Sequence, residues 1–221
     1  MRYLVPKIVL CLLIMLFLSA CANSVKIRET WKSPEATAAP YRKLLLIAVA
    51  KDQNLRQMFE NILAETLNAQ GVAAVQSYPV LDDLARADKE QIQRLALAVG
   101  ADAVVVTRGL SRSEHVNYQY FGGNVQERVA VIESVGENSS SLIAMSAVGI
   151  SPKEMDFVSG TLLTNFFDTA GARLAWSVQT QVVNDGRKAD ACWDYSILLV
   201  KALARDGLVN VNGKGFRKPS L

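Results

Sequence analysis

The chain has 221 residues, 50% of them hydrophobic, with a mean hydropathy of +0.16. That length suits one domain with its own core, and part of the apolar excess sits in the first 20 residues. The 24 Lys plus Arg against 21 Asp plus Glu give a net charge of +3, which falls to +1 once the acid-free leader carrying Arg2 and Lys7 is set aside; a near-neutral chain offers no electrostatic case for nucleic acid.

Arg2 and Lys7 form a positive start, and Ile8 to Leu18 is an unbroken apolar run of eleven residues. A bilayer-spanning helix needs about 20, so this run reads as the core of a signal peptide, residues 1–20. Leu18-Ser19-Ala20-Cys21 resembles the bacterial lipobox. Small residues at −2 and −1 fit a narrow protease site, and the Cys thiolate is the nucleophile that takes a diacylglyceryl group. The resemblance implies cleavage after Ala20, lipidation of Cys21 and acylation, typically with palmitate, of the new amine. Two or three buried chains, at about 0.8 kcal/mol per CH₂, make detachment slow. Ala22 follows the Cys. By resemblance to enterobacterial sorting, Ala there implies passage to the outer membrane, where the domain would face the periplasm.

Residues 21–40 read as a lipidated tether of Ser, Thr, Ala, Pro and scattered charge. Trp31 breaks that pattern, and the stretch near 25–32 is a candidate for an added strand. From residue 41 to 209 the periodicities describe an α/β domain. Lys43 to Ala50 is continuously apolar, as in a strand buried on both faces. Leu55, Met58, Phe59, Ile62, Thr66 and Leu67 recur at helical spacing, with Asp52 or Asn54 as cap and Gly71 as stop. Val72 to Tyr78 is a second strand. Asp88 and Gln91 form a capping-box pattern ahead of Ile92, Leu95, Ala96 and Val99, and Ala101 to Thr107 is a third strand.

This β-α-β-α-β order implies parallel pairing and right-handed crossovers. Strands then follow without helices between them, at 125–135, 141–150, 158–167 and 173–183, the last two joined by a turn at Asp168–Gly171. In the alternation from Thr161 to Phe167 both faces are mixed, so no inner side stands out. A final helix from about Ala189 to Asp206 carries Cys192, Tyr195, Ser196, Leu199, Ala202 and Leu203 on one face. Residues 210–221 read as a flexible, polar and basic tail. The expected fold is a single α/β domain with a mixed sheet and about three helices.

Trp31, the 43–50 strand, Arg56-Gln-Met-Phe-Glu60, the strands opening at Gly71 and Gly100, and Phe167-Asp-Thr-Ala-Gly-Ala-Arg-Leu-Ala-Trp-Ser177 together resemble a group of small bacterial lipoproteins. The layout over residues 31–209 is broadly similar to the N-terminal domain of TolB and to CsgG-like periplasmic domains. The resemblance carries over no catalytic residues.

The search for chemistry is mostly negative. With His115 as the one histidine, no His-rich metal site can form, and no cofactor motif is present. G-x-S-x-G and S-x-x-K are absent. Cys192 lies on an apolar helix face, as a buried inert thiol would, and Glu60, Glu65, Asp82 and Asp83 read as solvated carboxylates. Arg108 and Arg112 follow the third strand, where open α/β sheets often meet ligands, and could form a small anion site. Tyr118, Tyr120 and Phe121 beside two glycines could form a partner surface. The expectation is a non-enzymatic lipoprotein, anchored in the membrane, that binds an envelope protein partner. A small-ligand (anion) binding domain is the alternative.

Overall fold

The computed structural model describes residues 25–36, 40–50, 52–81, 87–110, 159–183 and 187–218. Among them, one mixed sheet is built from β1 (Val25–Lys32), β2 (Lys43–Val49), β3 (Ala73–Gln76), β4 (Ala103–Leu110), β5 (Ser159–Asp168) and β6 (Arg173–Val183). The helices are α1 (Gln53–Ala69), α2 (Lys89–Ala98) and α3 (Lys188–Arg205). The strands lie in the order β1-β6-β5-β4-β2-β3. β2 pairs in parallel with β3 and β4, and the other strand pairs are antiparallel; an isolated bridge from Tyr41 to Val209 is parallel. This is the α/β fold expected. The strands expected at 125–135 and 141–150 fall outside the described residues.

The parallel half follows from connection handedness. The step from β2 to β3 runs toward one edge, and the step from β3 to β4 runs back across β2. Right-handed crossovers therefore put α1 and α2 on opposite faces. Leu44, Leu46 and Ala48 pack with Phe59 and Leu63 of α1, while Leu45, Ile47 and Val49 pack with Ile92 and Ala96 of α2. Hence β2 is apolar at consecutive positions.

The same two-sidedness explains the mixed pattern of β5. Leu162 and Phe166 face α1 and α3, and Phe167 faces the layer of α2. As strand neighbours the two rings point to opposite faces, and both are buried because both faces are covered; the register shift between them leaves Ala175 of β6 as the extra residue. α3 buries the stripe expected of it, including Cys192, Tyr195, Leu199 and Leu203. Below it, the Tyr195 hydroxyl bonds Thr164, whose Oγ1 lies 2.8 Å from that of Thr107.

Local signals act as expected. Asp52 Oδ1 accepts from Asn54 N, and Asp88 Oδ1 accepts from Gln91 N at 2.6 Å. Gly71 and Gly100 close α1 and α2 at φ +85° and +65°, where a side chain is strained. Asp102 does more than stop a helix: its Oδ2 accepts from Arg42 N and Lys43 N at 2.8 and 3.0 Å, fixing the start of β2.

The candidate strand near 25–32 forms: β1 is added on β6, with Trp31 packed against the α2-side core. One part of the expected layout needs correction, the tail, which is not loose. Asn212 N and Nδ2 each donate at 3.0 Å, to Gln70 O and Ala69 O; Lys214 O accepts from Gln70 Nε2, and Lys218 pairs with Asp194. The physical reason is that the last carbonyls of α1 have no partner within the helix, and Asn212 supplies it.

Asp206, just past α3, ties three elements. Its Oδ2 accepts from Trp176 Nε1 at 2.8 Å, its side chain pairs with Arg205, and its carbonyl accepts from Lys32 Nζ. Burial pushes its carboxyl up, but hydrogen bonds from Arg205 and Trp176 and the charges of Arg205 and Lys32 outweigh that and hold it below its ordinary value. A depressed carboxyl adds stability above its unfolded pKa, near 3.9. That stability is lost as pH falls through the lower folded value. Asp206→Asn is therefore expected to be less stable than the parent at neutral pH. Urea melts should bring the two together well below pH ~3.9, and a gap independent of pH would contradict the assignment.

Candidate functional site

The residues singled out in the sequence do not gather into a described site. Cys21, Arg112, Tyr118, Tyr120 and Phe121 lie outside the described residues, as does His115. Arg108 is within β4, between Val49 of β2 and Leu163 of β5. It is 5% exposed, and its Nη1 donates to Gly109 O at 3.3 Å. Cys192 is buried, and burial pushes its thiol up to about 12, with the charge of Lys188 pulling weakly the other way. A thiol so far from ionising is no nucleophile at neutral pH.

The carboxyl ends of β2 and β3 carry the largest departure from expectation. Glu60 is not a solvated carboxylate but is fully buried. Five donors reach it: Ala48 N, Ser77 N, Tyr78 N, Ser77 Oγ and Arg56 Nε. Arg56, 1% exposed, also donates from Nη2 to Ser77 Oγ at 2.9 Å. One side chain of α1 thus accepts from amides at the ends of both parallel strands, sharing Ser77 N with Leu46 O. A carboxylate so occupied has little capacity left for a ligand. The signal was present in the sequence, since Arg56, Glu60, Leu63 and Leu67 follow the helical repeat along the buried side of α1.

A more open arrangement lies on the outer side of α1 and α3. The C-terminal strap crosses both helices, and Lys201 Nζ sits 5.2 Å from the Phe216 ring centroid. Between strap and helices is a cavity of about 480 Å³. Its lining includes Thr66 and Gln70 from α1, Trp193 and Ile197 from α3, and Phe216 from the strap. Exposed Glu65, Lys214 and Arg217 add charge. Gln70 is 2% exposed and its Oε1 has no hydrogen-bond partner. Because Nε2 donates to a carbonyl at 2.9 Å, which can only accept, the amide orientation is set and Oε1 is an acceptor in search of a donor. An unpaired buried acceptor costs about 1–3 kcal/mol. Trp193, Ile197 and Phe216 share the cavity wall with polar and charged side chains. The sequence reading missed it because the tail was read by charge, passing over Val209, Val211 and Phe216.

Removal of the strap after Asn210 is expected to shift tryptophan emission to the red, since Trp193 is only 6% exposed beneath it. It should also lower stability by about 1–3 kcal/mol. An unchanged spectrum and melt would show that the strap shields nothing.

Among the described residues, no group of three His, Cys, Asp or Glu could hold a metal ion, and no helix is long and apolar enough to cross a membrane. No protein-family model matches the chain, and no curated protein matches it. Among solved structures, the PelC dodecamer from Paraburkholderia phytofirmans is similar at 10% identity and a TM-score of 0.42, over 85% of this chain and 99% of that one. Lipoprotein GNA1162 from Neisseria meningitidis is similar at 11% identity and a TM-score of 0.33, over 75% and 96%.

Proposed function

We propose that this chain is a lipoprotein of the bacterial envelope, held by lipid on Cys21 at the periplasmic face of the outer membrane. It acts there without catalysis, by binding another envelope component. The observation that carries the reading is Leu18-Ser19-Ala20-Cys21 directly after an eleven-residue apolar run. Ala22 supports the outer-membrane address. The strap cavity, whose wall mixes Trp193, Ile197 and Phe216 with polar and charged side chains, supports binding over catalysis, as does the inert Cys192.

Two experiments test the two halves. Cys21→Ser is expected to abolish palmitate labelling and leave the leader attached, as intact mass would show. Labelling that persists in the variant ends the anchor reading. For the binding half, Phe216→Asp is expected to deplete a partner recovered with the parent in mild detergent. If the purified domain instead turns over a substrate, and the variant recovers the same partners, the non-catalytic reading fails.

A further inference from the structure

β1 begins at Val25, so three residues separate it from Cys21. Four extended peptide units, at about 3.3–3.6 Å each, reach at most ~14 Å. β6 has eleven residues, which at about 3.3 Å each is ~36 Å. The leash is shorter than half the sheet.

Strand pairing fixes which end of the sheet the leash enters. Val25 lies opposite Val182, Ser159 opposite Val183, and Leu110 opposite Thr161. The end of β2 is level with the end of β4, at Val49 and Arg108. One end of the sheet therefore collects the starts of β1 and β5 and the ends of β2, β4 and β6, and residues 111–158, outside the described residues, connect β4 to β5 from this end. The other end collects Asp102 and the turn from Thr169 to Ala172. Lys26, Arg28, Arg187 and Lys188 stand exposed around the leash corner, against Glu29 and an Asp190 already paired with Arg187. Val80, 61% exposed in the turn after β3, is at this end too. Turning the domain over would take the membrane to the far end of β1, seven residues or ~23 Å from Val25 at about 3.3 Å each, beyond the leash.

We propose that the end of the sheet around Val25, Lys26, Arg187 and Lys188 lies against the phospholipid headgroups of the bilayer that holds Cys21, with the Thr169–Ala172 turn directed away. The orientation rests on the Cys21 anchor of the preceding section. Cations at the corner favour anionic headgroups within a Debye length.

The test uses the full lipidated chain in phosphatidylethanolamine–phosphatidylglycerol vesicles. A maleimide fluorophore is placed on Lys26→Cys, Arg187→Cys or Ala170→Cys, one at a time. Cys21 is blocked by lipid and Cys192 is buried, so the label reports the introduced position. A nitroxide on the lipid headgroup is expected to quench positions 26 and 187 about threefold more than position 170, given the short reach. Inserting a long Gly-Ser stretch between Asn23 and Ser24 should erase the difference. Equal quenching at the three positions in acylated protein overturns the orientation, as does a difference that survives the insertion. Absence of acylation by mass spectrometry overturns the anchor itself, a separate failure.

Discussion

Glu60→Ala is expected to destabilise the domain by about 3–5 kcal/mol, the largest effect of any polar substitution among the described residues. Removing the carboxylate strands the buried Arg56 guanidinium and leaves Ala48 N and Tyr78 N without their acceptor, while Ser77 N keeps only its bond to Leu46 O. Arg56→Met should cost less, about 1–3 kcal/mol, because Glu60 keeps its three backbone donors and the Ser77 hydroxyl. This asymmetry separates the site from an ordinary buried ion pair, where apolar replacement of both partners is often neutral. Here the double replacement, Arg56→Met with Glu60→Leu, is expected to remain well below the parent, since Ala48 N and Tyr78 N stay unpaired. Urea midpoints at constant m-value decide it: a double variant as stable as the parent would sink the view that Glu60 acts chiefly on the backbone.

Trp176→Ala is the second large effect, at about 3–5 kcal/mol. Trp176 is fully buried at the meeting of β1, β5 and β6, opposite Phe166 and Lys32. Truncation empties that space and removes the indole N–H from Asp206. Trp176→Phe keeps most of the packing and loses the hydrogen bond, so it should cost about 1–3 kcal/mol. It should also raise the pH at which Asp206 protonates, because one of the bonds holding that carboxyl down is gone. A Phe variant with an unchanged acid limb, followed by circular dichroism, would show that Trp176 acts by volume alone.

Most of the sheet was legible because its signals are local. The unbroken apolar run of β2, the caps at Asp52 and Asp88 and the stripe of α3 each follow from the period of one element, and each forms where its residues place it. What escaped depends on contacts distant in sequence. Nothing near Glu60 says that Ser77 and Tyr78, 17 and 18 residues away, will donate to it. Asn212 looks like any tail residue until α1 presents its last carbonyls. The inner side of β5 could not be chosen because both sides are inner, a property of α1 and α3 covering one face while α2 covers part of the other. The cavity was invisible for the same reason: its walls come from the two ends of the described domain.

The place of β1 also dictates an order of folding. Arg28 and its partner Gln181 are 153 residues apart in the sequence, and β1 pairs with β6 alone. Synthesis from the N-terminus makes β1 before β6, and β1 finds its neighbour only after β6 is made. Contacts of such separation form late, because closing the loop costs entropy before any pairing offsets it. Until then β1 waits as a bare edge. Lys26, Arg28 and Lys32 guard it, since charge on an unpaired strand discourages pairing with another molecule. The first strand of the sheet to be made is the last to be paired.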